Sequence, residues 1–272
     1  MSSPTISIIT VCLNSKQTIR QTFDSLLRQT SKNFEYILID GGSNDGTLEI
    51  IKEYQKKFTA SDIQFRWMSG PDLGIYDAMN KGIKISSGDV IGILNSDDFY
   101  ENNAIFDIEN AIFNYPHGDI YYGYLRLLFK DGREFNIYRY NYENYLADLN
   151  CNYQAAAQHP SCFICKELYD KLGLYDISYK TAADYDFLIR AKLNGAKFIA
   201  IDSIITNFLS GGATFQVNEI DSFEQKNRTH FANGLITEKQ FINSRKYIRL
   251  LKLAKIKEIF FQMLSKIIYF VK

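Results

Sequence analysis

The sequence predicts an α/β protein with a mostly parallel sheet in its first hundred residues. Two observations support this prediction. Apolar runs rich in β-branched residues alternate with segments whose apolar residues recur at helical spacing. Pro is scarce, with 4 in 272 residues, so these segments are joined by short loops. A series of strand, helix and strand is the crossover unit of parallel sheets, with helices covering both faces.

The elements of this first half follow in order. The run TISIITVCL predicts a first strand, and a helix with Ile19 and Phe23 on its apolar side follows it. The run FEYILID predicts a second strand, followed by the turn GGSNDG and the helical segment TLEIIKEYQKKF. The run IQFRWMSG predicts a third strand before the helical segment IYDAMNKGIKIS, and VIGILNSDD closes the series.

After residue 100 the pattern changes to aromatic-rich extended segments. DIYYGYLRLLF and REFNIYRY flank Lys130-Asp131-Gly132 and predict a hairpin. A strand SCFIC, a helix KELYDKL, a helix over about 183–194 and a strand KFIAIDSIITNFL follow. No low-complexity linker separates the halves. We therefore expect one domain over residues 1–233, with halves 1–100 and 101–233, and a helical tail over 234–272.

Composition narrows the class of protein. Apolar residues make up 46% of the chain and charged residues 23%, which is typical of a globular protein. No apolar run is long enough for a membrane span and no signal-like segment precedes the first strand, so a cytoplasmic location is expected. The four cysteines are scattered, and Cys162 and Cys165 lack a second Cys or His pair at zinc-site spacing. Buried thiols are the expectation for both.

The tail differs in charge from the rest of the chain. Nine of the residues from Lys239 to Lys272 are Lys or Arg and one, Glu258, is acidic, although the whole chain has no net charge. Basic residues alternate there with Ile, Leu, Phe and Tyr, a pattern typical of a helix lying on an anionic membrane. The same helix could instead pack against the body or a second copy in a homo-oligomer. Nucleic acid is not expected, since the aromatic residues fall on the apolar side.

Polar residues cluster at the predicted carboxyl ends of the strands, where open α/β sheets bind ligands. Asp97 and Asp98 are adjacent carboxylates that a hard cation with phosphate oxygens would neutralise, although a solvated turn is an alternative. Asp40 precedes a glycine-rich turn that would allow a ligand close to the backbone. The glycine spacing matches neither a G-x-G-x-x-G fingerprint nor a P-loop.

Together these segments resemble the family 2 glycosyltransferases, which have the A-type (GT-A) fold. SIITVCLN is similar to the family's opening strand, DGGSNDGT to its nucleotide loop, DLGIYDAMNKGI to the segment that follows, and NSDD to its D-x-D metal motif. The resemblance spans roughly residues 4–212. It implies a Rossmann-like nucleotide-binding half over 1–100, an acceptor-binding half over 101–233, and a donor that is a nucleotide-sugar, specifically a UDP-sugar.

The resemblance also implies roles for individual residues. It implies that Asp40 reads the uracil edge, that Asp97 contacts ribose or metal, and that Asp98 coordinates Mn²⁺ or Mg²⁺. Asn95 and Met79 depart from the acid and the arginine that many relatives carry. The remaining residues implied to line the donor site are Thr10, Val11, Asn14, Asp72, Asn80 and Ser96.

TAADYDFLIRAKLNG resembles the family's acidic motif, which implies that Asp184 is the catalytic base. A carboxylate can remove the proton of a sugar hydroxyl as the donor is attacked, and a single displacement inverts the anomeric centre. Helix capping is the alternative role for Asp184, and Asp186 is the nearest competing acid. The resemblance places His159 near the acceptor or donor sugar, although a structural role is open. Arg190 is a candidate for the same region or a surface charge.

The predicted activity is inverting, metal-dependent transfer of a sugar to a carbohydrate hydroxyl in surface polysaccharide synthesis. An acceptor linked to polyprenyl diphosphate would suit an enzyme peripheral to the inner face of the cytoplasmic membrane. A silent sugar-nucleotide-binding scaffold is one alternative, although retention of Asp184 argues against it. A nucleotidyltransferase is another, but its glycine-rich basic loop is missing after the first strand.

Overall fold

The structure is a computed structural model that describes residues 6–129, 131–138, 157–210, 219–250 and 252–253. The chain divides into two compact units, Met1–Phe215 and Gln216–Lys272. The strands are β1 (Ile6–Cys12), β2 (Phe34–Asp40), β3 (Gln64–Ser69), β4 (Val90–Ile93), β5 (Phe99–Tyr100), β6 (Ile120–Leu128), β7 (Glu134–Tyr138), β8 (Cys162–Cys165) and β9 (Phe198–Leu209). The helices are α1 (Ile19–Leu27), α2 (Thr47–Ala60), α3 (Ile75–Ile85), α4 (Ala104–Asn114), α5 (Lys166–Leu172), α6 (Ala183–Leu193), α7 (Glu219–Ala232) and α8 (238–250).

The described strands form one mixed sheet in the order β3-β2-β1-β4-β8-β6-β9-β5, with β7 paired to β6. β3, β2, β1 and β4 run parallel, which confirms the prediction for the first half. β8 runs antiparallel to both β4 and β6, so the second half is mixed. β6 and β7 pair antiparallel and confirm the predicted hairpin, although Lys130 lies outside the described residues. Because β1, β2 and β4 are parallel, their carboxyl ends meet at one edge.

Helices cover both faces of the parallel half. On one face, Ile8 and Tyr36 pack in the main core with Phe23 of α1 and Phe58 of α2. On the other face α3 approaches β1 so closely that a side-chain carbon at Gly82 would lie 2.5 Å from Ile9. β1, β2 and β4 are therefore buried on both sides, which explains their largely apolar sequence, whereas β3 at the edge of the sheet is only partly buried.

A buried carboxylate links β1, β2 and β3 near the amino ends of these strands. Glu35 in β2 is 7% exposed and accepts hydrogen bonds from Ser7 Oγ and from the backbone N–H of Ser87, both at 2.5 Å. Arg66 of β3 also pairs with it at 2.5 Å. Burial acts to raise the pKa of Glu35, but these hydrogen bonds prevail and the pKa lies below its ordinary value. The charged carboxylate is thus fully partnered, as a buried charge requires.

Cys162 is buried, as predicted, whereas Cys165 is partly buried. Cys162 and Cys165 are free and donate to the backbone carbonyls of Gln158 and Gly118. Burial raises the pKa of Cys165 to about 12, so its thiol stays protonated. Cys151 lies outside the described residues.

The second unit begins at residue 216, whereas the predicted tail begins at residue 234. α7 belongs with α8, because Phe231 stacks on Phe241 with ring centroids 4.4 Å apart and Lys252 pairs with Asp221 at 2.9 Å. The tail is helical where it is described, and residues 254–272 lie outside the described residues. Within the described residues, no helix has both the length and the apolar character needed to span a membrane.

Candidate functional site

The loops that follow β1, β2 and β4 are hydrogen-bonded to one another at the carboxyl edge of the sheet. Asn14 donates its backbone N–H to Ser43 Oγ at 2.7 Å, and its side-chain oxygen accepts from the N–H of Asn44 at 3.0 Å. Asn14 has a φ of 53°, a left-handed conformation that asparagine tolerates better than most residues. Ser15 Oγ lies 2.8 Å from Ser96 Oγ. The structure therefore brings together the predicted residues Asn14 and Ser96.

Asp40 at the end of β2 organises the glycine-rich loop. Its side chain is fully buried. One oxygen accepts from the N–H groups of Gly42 and Ser43 and from Ser69 Oγ, at 3.0, 2.9 and 2.6 Å; the other accepts from the Ser43 hydroxyl and the Cys12 thiol. Burial acts to raise the pKa of Asp40, but the hydrogen bonds from Ser43 and Ser69 outweigh it and lower the pKa. A direct contact with a base would require one of these donors to give way.

Asp72 lies against the same loop. A side-chain carbon at Gly41 would be 2.6 Å from the Asp72 carboxylate, so only glycine permits this approach. Asp72 also accepts the N–H of Gly74 at 2.9 Å, just before α3. The loops after β2 and β3 thus meet, and the side chain of Asp72 is partly exposed there.

A cavity of about 370 Å³ opens beside these loops, between the end of β3 and α3. Most of its lining surface is apolar, and two lysines contribute to the lining. Its lining residues are Ile39, Asp40, Met68, Ser69, Gly70, Pro71, Lys81, Lys84 and Ile85.

Thr10 and Val11 differ from expectation. Thr10 has no exposed surface and lies between Ile8 and Cys12 on the face of β1 that joins the main core. Val11, on the other face, is 6% exposed. Alternate side chains of a strand point to opposite faces, and helices cover both faces here. Neither side chain lines the cavity between the end of β3 and α3.

The two acidic residues after β4 have different environments. Asp98 is fully buried, and its carboxyl accepts from Asn95 Nδ2 and the backbone N–H of Leu209, both at 3.2 Å. Burial, followed by the charge of Asp97, raises the pKa of Asp98 well above its ordinary value. Asp97 is partly exposed. The placement therefore favours Asp97 over Asp98 as the group that faces a ligand, in contrast to the expectation that Asp98 is the main metal ligand.

The residues present fit a divalent cation shared with phosphate groups. No cluster of three or more His, Cys, Asp or Glu side chains suited to a metal occurs among the residues the structure describes. Mg²⁺ usually keeps several waters and binds one or two carboxylates plus substrate phosphates, so an all-protein cage is not required. Asp97 is a partly exposed oxygen ligand at the correct edge of the sheet, with Ser96 beside it.

Asp184 lies at the start of α6 and is joined to α3 by Tyr76. The Tyr76 hydroxyl donates to Asp184 Oδ1 at 2.7 Å. Tyr76 follows Asp72 by four residues, so the segment 72–76 touches the Asp40 loop at one end and Asp184 at the other. Tyr76 was not among the site residues predicted from the sequence. The sequence shows only that a residue with a hydroxyl lies in the first turn of the predicted third helix.

His159 is buried near Asp184. Its Nε2 lies 2.7 Å from the hydroxyl of Tyr175. Burial lowers the pKa of His159, and the charge of Asp184 opposes that effect. His159 is 7% exposed, so its ring supports the wall of the site through Tyr175 and presents little surface to a sugar.

Asn80 and Arg190 have structural partners. The Asn80 amide bonds the backbone N–H and C=O of Tyr175, at 3.1 and 2.9 Å. Arg190 pairs with Asp186 at 2.8 Å and donates to the carbonyls of Leu172 and Leu174 at 2.6 and 3.0 Å. Both polar ends of Asn80 and most of the guanidinium of Arg190 thus hold the chain that precedes α6.

Two comparisons relate this chain to known protein sequences. The family described as glycosyl transferase family 2 matches residues 7–173. A "PGL/p-HBAD biosynthesis glycosyltransferase" from Mycobacterium bovis is 30% identical over 200 residues, which cover 72% of this chain and 73% of the relative.

Solved structures of two proteins share the fold. The S. aureus protein TarS, residues 1–349 in complex with UDP-GlcNAc, is 20% identical, with a TM-score of 0.68 over 87% of this chain and 69% of that one. A longer TarS chain also matches, and this chain spans 42% of it. The mannosyltransferase PcManGT from Pyrobaculum calidifontis, in complex with GDP-Man and Mn²⁺, is 14% identical, with a TM-score of 0.64 over 92% of this chain and 71% of that one. At these identities the likeness concerns the fold.

Proposed function

The chain belongs to glycosyl transferase family 2 and is a glycosyltransferase, and we propose that it transfers a sugar from a UDP-sugar to a carbohydrate hydroxyl with inversion, aided by Mn²⁺ or Mg²⁺. The acceptor we propose is a glycan of a bacterial surface polysaccharide, carried on polyprenyl diphosphate. The reaction would take place at the inner face of the cytoplasmic membrane.

One observation carries the proposal. The loops after β1, β2, β3 and β4 meet at one edge of the sheet, and a single short segment, 72–76, joins that edge to Asp184. A donor nucleotide held by the loops would therefore have its sugar within reach of a carboxylate from the acceptor half. A single displacement needs this arrangement, because the base must deprotonate the acceptor hydroxyl while that hydroxyl attacks the sugar of the bound donor.

In the proposed reaction Asp184 removes the proton of the acceptor hydroxyl. The acceptor oxygen forms a bond to C1 of the donor sugar as the bond from C1 to the diphosphate oxygen breaks, and that electron pair leaves with the UDP. Asp184 is partly exposed and has only one of its oxygens bound by Tyr76, so the other can face the acceptor.

Asp97 is the residue we propose to hold the cation, with Ser96 beside it. When bound, Mn²⁺ or Mg²⁺ would neutralise the departing diphosphate, which is why no second acid is needed for the leaving group. Asp98, buried behind Asp97, would keep the turn in place through Asn95 and Leu209. GDP-Man and Mn²⁺ in PcManGT and UDP-GlcNAc in TarS support a nucleotide-sugar donor in this fold.

Thermal unfolding with a panel of nucleotides tests the donor assignment. With Mn²⁺ present, UDP at about 100 times its Kd should stabilise the protein by about 2.7 kcal/mol, which is a rise in Tm of about 5 °C or more. GDP and dTDP at the same concentration should raise Tm less, and UMP, which lacks the second phosphate, should raise it least. A larger rise with GDP would contradict the UDP assignment, and no rise with any nucleoside diphosphate would contradict the site itself.

We also propose that α8 brings the enzyme to an anionic membrane. Tyr247, Leu250 and Leu253 are exposed large apolar side chains on or just after this helix, and Lys246 and Arg249 are exposed beside them. Basic side chains near an anionic surface contribute about 1 kcal/mol each.

Vesicle flotation tests the membrane contact. The full chain should float with phosphatidylglycerol vesicles, and the double change Lys246→Glu and Arg249→Glu should lower recovery about tenfold or more, since two attractions become repulsions. Lys52→Glu with Lys56→Glu, on the exposed side of α2, is the matched control and should float as well as the unaltered protein. Equal recovery of the two double variants would contradict the proposal, and high salt should weaken the binding.

A further inference from the structure

The hydroxyl of Tyr76 is the direct link between α3 and the carboxylate of Asp184. Tyr76 lies in the first turn of α3 and is 6% exposed. It donates to Asp184 Oδ1 at 2.7 Å, across 108 positions of the sequence. A hydrogen bond to a charged acceptor is short and strong, and it fixes the rotation of the carboxylate about its side chain.

Tyr76 is itself held in place. Its ring packs against the ring of Tyr175, with centroids 5.8 Å apart. Asn80, one helical turn further along α3, forms hydrogen bonds with both the backbone C=O and the backbone N–H of Tyr175. The hydroxyl of Tyr175 in turn lies 2.7 Å from His159 Nε2 and 2.8 Å from the hydroxyl of Tyr169. One face of α3 thus sets both the wall of the site and the orientation of Asp184.

We propose that Tyr76 is a positioning residue for the reaction: its hydroxyl holds Asp184 Oδ1 so that Oδ2 is presented to the acceptor hydroxyl. This inference rests on the proposed function, because it takes Asp184 as the base. A base must lie within hydrogen-bond reach of the proton that it removes, so the orientation of its carboxylate affects the rate directly. Because α3 also follows the Asp72 loop, the same helix fixes the distance between nucleotide loops and base.

The groups that face Asp184 support this assignment. Among the described residues, the charge of Asp184 acts on Tyr76, His159, Tyr175 and Cys162. Burial and the charge of Asp184 raise the pKa of Tyr76, so Tyr76 remains a protonated donor. Burial lowers the pKa of His159, and burial raises the pKa of Cys162. Of these four, Tyr76 is the one whose side chain forms a hydrogen bond to the carboxylate.

The change Tyr76→Phe removes the hydroxyl and keeps the ring. The readout is Mn²⁺-dependent release of UDP from whichever of UDP-glucose, UDP-galactose and UDP-N-acetylglucosamine the unaltered protein hydrolyses fastest, with water in place of the acceptor. We expect kcat to fall about tenfold with KM for the UDP-sugar unchanged.

Tyr169→Phe is the matched control. Tyr169 is also buried and its hydroxyl bonds Tyr175, but it does not touch Asp184. This variant should keep kcat within about threefold of the unaltered protein, with KM unchanged. An unchanged kcat in Tyr76→Phe, an equal fall in kcat in Tyr169→Phe, or a fall in kcat accompanied by an equal rise in KM would overturn the proposal.

A double-mutant cycle of thermal unfolding gives a readout that needs no turnover. Tyr76→Phe and Asp184→Ala each remove one end of the bond, so the double variant should unfold close to the less stable single variant, and the losses in Tm should not add. Additive losses in Tm would contradict a stabilising hydrogen bond between Tyr76 and Asp184. Retained turnover in Asp184→Asn would refute the base, and with it the proposed function, whereas an inactive Asp184→Asn together with an unchanged kcat in Tyr76→Phe would refute the role of Tyr76 alone.

Discussion

Asp184→Asn should lower kcat by about 10²- to 10⁴-fold, the range that a positioned general base contributes. Asparagine has nearly the same shape and can still accept the hydrogen bond from Tyr76, but it cannot take the proton of the acceptor hydroxyl. Donor binding should be retained, because the nucleotide loops belong to the other half of the sheet. The measurements are steady-state release of UDP and the rise in Tm with UDP and Mn²⁺.

Asp186→Asn is the control for this experiment. Asp186 lies two residues further along α6, is 5% exposed and pairs with Arg190. Its loss leaves a partly buried guanidinium without its carboxylate, so we expect a lower Tm with kcat within about threefold of the unaltered enzyme. The opposite pattern, with Asp186→Asn inactive and Asp184→Asn active, would transfer the role of base to Asp186.

Asp97→Asn should lower kcat by about 10²-fold and weaken the apparent affinity for Mn²⁺. Asparagine offers one neutral oxygen where the carboxylate offered a charge, and hard cations prefer charged oxygen ligands. Raising the Mn²⁺ concentration should restore part of the activity. Titration of activity with Mn²⁺, and of the Tm with Mn²⁺ in the presence of UDP, measures both effects.

Asp98→Asn separates the two neighbouring acids. Because Asp98 is fully buried and bonded to Asn95 and Leu209, its replacement should change the Tm more than the Mn²⁺ titration. If Asp98→Asn folds normally yet loses its response to Mn²⁺, while Asp97→Asn keeps it, the metal assignment belongs to Asp98, as the sequence motif implies.

Several parts of the fold could be predicted because they depend on local pattern. β1, β2 and β4 are largely apolar runs, β3 is a mixed edge strand, and their parallel pairing follows from the helices between them. The hairpin of β6 and β7 follows from a turn sequence between two extended segments. The division at residue 215 could not be predicted, because it depends on how α7 packs with α8, and a helical pattern does not show which neighbour a helix packs against.

The candidate site was predictable in its location but only partly in its members. Asn14, Asp72 and Ser96 do meet at the carboxyl edge, as strand-end residues in a parallel sheet should. Thr10, Asn80 and Arg190 carry suitable side chains in suitable motifs, yet the structure buries the first and uses the others to hold the backbone. Burial depends on what packs over a residue, which a motif does not contain.

The sequence by itself determined the family, the parallel half of the sheet and the edge at which polar residues gather, because strand and helix periods and ordered motifs are local properties of the chain. Only the tertiary structure decided which carboxylates are exposed and which hydroxyl meets which acid. Asp97 and Asp98 are neighbours in sequence but only Asp98 is covered, and Tyr76 meets Asp184 because α3 and α6 approach one another in space. Solvation and hydrogen bonding, which set the chemistry of each carboxylate, are products of those long-range contacts.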